Sequence, residues 1–105
     1  MEVRVSFTIS EYGSDPQNGE RFMDAFMQVF AEGGPSVLQN TEAGTLTITF
    51  ALDANDAKAA LGRAGRVFAE GANATGLPPT EVLEVEAAVV RVAEADSPAR
   101  EPVPA

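Results

Sequence analysis

The chain has 105 residues, enough for one domain of ordinary size with its own apolar core. It carries 16 acidic and 7 basic side chains, and the resulting net charge of −9 disfavours binding to nucleic-acid phosphates and to anionic membranes. It contains no Cys and no His, which excludes disulfides, thiol catalysis and the commonest general base. We therefore expect no nucleic-acid or membrane partner, no metal site and no cofactor.

The first residues of the chain and its overall hydropathy bear on its location. Residues 1–5 lack the basic and apolar regions of a signal peptide, and no stretch approaches the roughly 20 apolar residues of a membrane span. Together with the absence of Cys, these features predict a cytoplasmic protein. A single Lys against six Arg, with abundant Ala, is typical of proteins from GC-rich bacterial or phage genomes.

The first strand and the first helix are predicted from a change of apolar spacing. Apolar and polar residues alternate from Val3 to Ile9, which is the pattern of a half-buried strand. Asp15 and Pro16 form a helix start, since Asp caps free amides and Pro suits the first helical position. Phe and Met residues at helical spacing continue until Gly33 and Gly34, and this face should dominate the core.

A hairpin and a second helix follow in the middle of the chain. Residues 36–42 form a weak strand candidate, Ala43 and Gly44 signal a turn, and residues 45–52 alternate regularly. Asp53 is predicted to cap the second helix. The buried side of that helix is predicted to consist of Ala57, Leu61, Ala64, Val67 and Phe68.

The last strand is predicted over residues 81–93. Its helix-facing residues should be Leu83, Val85, Ala87 and Val89. Glu84 and Glu86 fall on the opposite face, where solvent exposure is a simpler interpretation than a weak cation site. Residues 96–105 are rich in Pro and predict a disordered tail, which leaves residues 1–95 as a single α+β sandwich domain.

The order strand, helix, strand, strand, helix, strand predicts an α+β fold with a four-stranded antiparallel sheet and two helices on one face. It resembles the ferredoxin-like βαββαβ superfold, and this resemblance implies the strand order 4-1-3-2 over residues 2–94. The superfold serves many functions, so no specific family is identified. The chain lacks the marks of three well-known groups within it: open-face aromatics for RNA stacking, paired Cys for metal transfer, and an Arg in the first loop for phosphate cradling.

The helix-free face of the predicted sheet is the main candidate for an interface. It should carry small, half-apolar side chains, and flat surfaces of this kind often pack on a second copy, although antiparallel sheets can also face water. The predicted interface residues are Ser6, Thr8, Thr47, Thr49, Ala88, Val90 and Val92. We therefore expect a non-catalytic interaction or oligomerisation module, which associates with itself or with a protein partner through the open face or the last strand.

The element order also resembles ACT-type amino-acid-sensing domains. This resemblance implies a ligand site at the loop between the first strand and the first helix, with Glu11, Tyr12, Ser14 and Asp15 as candidate contacts. Acidic side chains there could bind an ammonium group, and helix amides a carboxylate, although Asp15 is also explained as a cap. Dimeric α+β barrel enzymes have a similar shape. Because the chain has no His, we expect no enzymatic activity and assign no catalytic residue.

Overall fold

A computed structural model describes residues 1–79 and 81–91, with side chains described only as far as residue 89 in the last strand. The elements are β1 (Glu2–Ile9), α1 (Pro16–Phe30), β2 (Ser36–Asn40), β3 (Thr45–Asp53), α2 (Ala57–Ala74) and β4 (Val82–Arg91). A short 3-10 helix follows α1 at Ala31–Gly33. The predicted α+β class is confirmed. The predicted tail, residues 96–105, lies outside the described residues.

The strands form one antiparallel sheet in the order β2-β3-β1-β4. Counted from the opposite edge, the same arrangement reads β4-β1-β3-β2. The central positions belong to β1 and β3, and β2 and β4 are the edges. The edges differ in length, because β2 has 5 residues and β4 has 10.

The two central strands and both helices bury one common core. Alternate side chains of β1 and β3 point at the helices, as expected from the period of two in an extended backbone. The buried residues of these strands are Val3, Val5, Phe7, Ile9, Leu46, Ile48, Phe50 and Leu52. They form a single cluster with residues of α1 and α2, so both helices lie on the same face of the sheet.

Both long helices begin at an aspartate cap. Asp15 Oδ1 accepts from the Gln17 N–H at 2.9 Å, which confirms the predicted start of α1. Asp56 Oδ1 accepts from the Ala59 N–H at 2.8 Å, so the prediction of Asp53 as the second cap is wrong. Asp53 is instead the last residue of β3, opposite Glu2, because the strand pairing extends further than its alternation. Such a cap contributes about 0.5–2 kcal/mol.

The predicted buried side of α2 is confirmed for Ala64 and Val67 and is wrong for Ala57 and Leu61. Ala57 and Leu61 are exposed, and the buried line runs through Ala60, Ala64, Val67 and Gly71. These positions follow the spacing of three and four residues that places side chains on one helix face. Ala and Gly at these positions allow α2 to pack close to α1 and the sheet. A buried face that included Leu61 would have kept α2 further from them.

Phe26 of α1 lies at the centre of the core and is fully buried. Its ring centroid is 5.9 Å from that of Phe50 in β3 and 5.9 Å from that of Phe68 in α2. Phe68 in turn stacks on Phe7 of β1 at 4.4 Å. Gly71 lies directly against the Phe26 ring, since a Cβ at this position would come within 2.4 Å of it. The aromatic cluster therefore joins both helices to the two central strands.

Gln39 ties the loop between β1 and α1 to the edge strand β2. Its Nε2 donates to the carbonyl oxygens of Gly13 at 2.7 Å and Asp15 at 2.8 Å. A Cβ at Gly19 would lie 2.6 Å from Gln39 Oε1, so the first turn of α1 passes immediately above this side chain. The start of α1 is thus fixed over β2.

The glycines of α2 give a matched pair of substitutions. We expect Gly71→Ala to lower the free energy of unfolding by about 1–3 kcal/mol, because the added methyl group overpacks the buried Phe26 ring. Gly62→Ala meets open space and should raise that free energy by up to about 1 kcal/mol through helix propensity. Urea unfolding followed by circular dichroism measures both. Equal stability of the two variants would show that α2 does not pack this closely on Phe26.

Candidate functional site

The centre of the helix-free sheet face carries hydroxyl groups that bond to one another. Ser6 Oγ lies 2.8 Å from Thr49 Oγ1, and Thr8 Oγ1 lies 2.9 Å from Thr47 Oγ1. Each pair joins directly opposed positions of β1 and β3. These predicted interface residues are half-buried within the chain itself. Each pair satisfies hydrogen-bonding capacity internally, which reduces what the face offers to a partner.

The part of this face formed by β4 is acidic. Glu84 lies opposite Thr8 and Glu86 opposite Ser6, and both carboxylate residues are exposed. Ala88 is exposed opposite Arg4, whereas Val92 and the side chain of Val90 lie outside the described part of the chain. Covering this face with a second copy would take the carboxylates out of water at a cost in free energy. The open face is therefore the less favourable of the two predicted association surfaces.

The other side of β4 is apolar and also exposed. Val85 and Val89 lie opposite Phe7 and Val3 of β1, which are at most 6% exposed. Val85 is nevertheless 45% exposed and Val89 51%. The prediction of which residues face the helix side is therefore confirmed for these two positions, but the helices do not cover them.

A register shift alters the start of β4. The pairing slips between Thr8 and Ile9, so that Val82 lies opposite Ile9. Val82 thus takes the position predicted for Leu83, which lies at the irregularity and is 53% exposed. Apolar spacing does not reveal this shift. The extra residue reverses which residues face the helices, but Val82 and Leu83 are both apolar, so the sequence pattern fits either register.

We define the β4 surface as the helix-side residues of β4 together with its outer edge. Those residues are Val82, Val85, Ala87 and Val89. Among the described residues, β4 pairs with β1 alone. An outer edge of this length presents backbone donors and acceptors that can pair with another strand. The β4 surface thus combines exposed apolar side chains with unused strand-pairing capacity.

A cavity of about 320 Å³ lies where the helices meet the segment that leads to β4. The aromatic rings of Tyr12, Phe22 and Phe68 line it, together with small residues of α2 and the apolar residues 77–79. The Tyr12 hydroxyl donates to the Pro78 carbonyl oxygen at 2.5 Å, which links the first loop to the segment before β4. Sequence patterns did not predict this cavity, since its walls come from segments far apart along the chain.

The four predicted ligand contacts do not converge on this cavity. Tyr12 lines it, but Glu11, Ser14 and Asp15 are exposed and lie outside its lining. The Asp15 carboxylate accepts the capping hydrogen bond of α1.

Two further findings limit the kinds of site in the described residues. No cluster of three or more His, Cys, Asp or Glu side chains that could hold a metal ion occurs in residues 1–79 and 81–91. No helix in the same ranges has the length and apolar character needed to cross a membrane.

Comparison of the chain with protein families, with curated proteins and with solved structures gave no match.

The hydroxyl pairs of the open face can be tested by a double-mutant cycle. Ser6→Ala leaves the half-buried Thr49 hydroxyl without its partner and should lower the free energy of unfolding by about 1 kcal/mol. The double variant Ser6→Ala, Thr49→Val should lose less than the sum of the single variants, because both partners are removed. Urea unfolding gives the coupling, with exposed Thr41→Val as the control. Strictly additive losses would contradict a direct interaction.

Proposed function

We propose that this chain is a non-catalytic self-association module, in which β4 of one copy pairs antiparallel with β4 of a second copy about a two-fold axis. The observation that carries the proposal is the β4 surface, where exposed valines adjoin a strand edge that pairs with nothing among the described residues. We propose also that the fold is ferredoxin-like, supported by the element order and by the two helices that share one face of the sheet.

Burial of the β4 valines supplies the driving force. Apolar area removed from water contributes about 25 cal/mol per Å². Val82, Val85 and Val89 are each between 39% and 51% exposed, so each has area left to bury. Strand pairing would add backbone hydrogen bonds along the same edge. The open face supplies less, because its hydroxyl groups are paired and its β4 rim is acidic.

The two glutamates of β4 restrict the register, and pairing of the exposed valines favours one of the registers that remain. Like charges placed directly opposite destabilise a strand pair. A two-fold axis at Val85 would oppose Glu84 to Glu86, and an axis at Glu86 would oppose the two copies of that residue. An axis at Ala87 instead opposes Glu86 to an alanine, at position 88, and opposes Val85 to Val89. The proposed dimer therefore has Ala87 at its axis.

Two matched charge insertions test the site of association. Val85→Glu puts a charge in the β4 surface and should convert a dimer into a monomer. Leu38→Glu puts the same charge at another exposed apolar position, 72% exposed on the open face of the opposite edge strand, and should leave the dimer intact. Sedimentation equilibrium measures the mass, at low and at high salt because each copy carries a charge of −9.

The outcomes of this experiment are distinct. Dissociation by Leu38→Glu but not by Val85→Glu would move the interface to the open face and contradict the proposal. A wild-type chain that stays monomeric up to millimolar concentration in high salt would refute self-association itself.

Cysteine crosslinking tests the register, since the natural chain has no Cys. In the proposed dimer the two copies of residue 87 are directly opposed, with Cβ atoms about 4.5–5.5 Å apart. Oxidised Ala87→Cys should therefore form a covalent dimer on non-reducing gels. Glu84→Cys opposes residue 90 and should remain largely uncrosslinked. Preferential crosslinking of Glu84→Cys would rule out an axis at Ala87.

A further inference from the structure

We propose that the cavity beneath Tyr12 is a binding site for a small, neutral and mainly apolar molecule that carries one hydroxyl or N–H group. This inference does not depend on self-association. The volume of about 320 Å³ lies at the small end of the range of about 300–1,000 Å³ found for ligand pockets. The cavity has an apolar end and a few polar groups, from Tyr12, Asn73 and Thr75, which is the usual composition of a small-molecule site.

The apolar end is formed by packed rings and methyl groups. Phe22 is 1% exposed and Phe68 is half-buried against the core, so both rings have fixed positions. Ala69 and Ala72 of α2 face the same space and leave room that larger side chains would fill. An aromatic or compact aliphatic group would replace water along these surfaces and gain burial energy.

The lining also excludes a charged ligand. Within the described residues it contains no Asp, Glu, Lys or Arg side chain. Arg21 lies near the rim, but its Nη1 donates to the Thr75 carbonyl oxygen at 3.3 Å and it does not line the cavity. A carboxylate or ammonium group would lose hydration there without a partner of opposite charge. The net charge of −9 disfavours carboxylates further. A free amino acid therefore fits this cavity poorly.

The hydrogen bonds around the rim define the polar group of the ligand. The Thr75 hydroxyl donates to the Ala72 carbonyl oxygen at 2.6 Å and accepts from the Leu77 N–H at 3.1 Å, so it is occupied. The Tyr12 hydroxyl donates its hydrogen bond to the Pro78 carbonyl oxygen, and the hydroxyl oxygen remains able to accept one. The ligand should therefore donate a hydrogen bond to Tyr12, and the exposed Asn73, which also lines the cavity, offers a second polar contact.

The experiment compares benzyl alcohol with benzoate, which share a ring and differ in charge. Both are titrated into the full ¹⁵N-labelled chain and followed by NMR. Benzyl alcohol should cause saturable shifts of the amides of Tyr12, Phe68 and Ala72, and benzoate should bind at least tenfold more weakly. Equal affinity for the two probes would overturn the neutral character of the site, and the absence of saturable shifts with benzyl alcohol would overturn the site itself.

Two variants of exposed alanines in α2 locate the binding. Ala69→Phe fills the cavity and should weaken benzyl alcohol binding at least tenfold, whereas Ala59→Phe lies outside the lining and should leave it unchanged. The dispersion of the NMR spectrum shows that each variant is folded. Binding to Ala69→Phe with wild-type affinity would contradict the assignment to this cavity, as would an equal loss in both variants.

Discussion

The contact of Phe26 with the sheet and with α2 is the interaction on which the rest of the structure depends. Its ring reaches Phe50 on one side and Phe68 on the other, and Gly71 leaves it the space to do so. Aromatic side chains bury more apolar area than any others, so one central ring can join three elements. This contact sets the position of α2. The position of α2 in turn determines which strands the helices cover. The two central strands are covered, and β4 is not.

The uncovered strand links the fold to the proposed association. An edge strand whose inner side chains are packed under a helix needs no partner, and a wholly polar edge strand does not attract one. β4 is neither, because Val85 and Val89 continue the apolar rows of Phe7 and Val3 beyond the reach of the helices. Its open side carries Glu84 and Glu86, which restrict how a second strand can approach. The same ten residues therefore favour association and limit it to few registers.

Sequence patterns predicted the elements well and the surfaces poorly, for a physical reason. Alternation in β1 and β3 identifies the inward side chains, and Asp15 with Pro16 marks a helix start, because these signals are local. Whether a helix covers a strand depends on residues far apart along the chain. The apolar spacing around Val85 therefore could not predict its exposure. The choice of Asp56 over Asp53 depends on where β3 stops pairing, and the cavity depends on Tyr12 meeting Pro78 across most of the chain. The predicted interface residues Ser6 and Thr49 lie on the expected face, but whether a partner binds them is a separate question.

The bridge from Gln39 to the loop before α1 has a consequence for the size of any assembly. It anchors that loop and the first turn of the helix over the short strand β2, so the two edges of the sheet are unlike. A sheet that accepted neighbours at both margins would extend without end into a fibre. In this sheet β2 has 5 residues beneath the first turn of α1, whereas β4 has 10 residues that the helices leave exposed. The proposed association through β4 would therefore give a closed pair, in which Gln39 and the short strand β2 lie at the two outer ends.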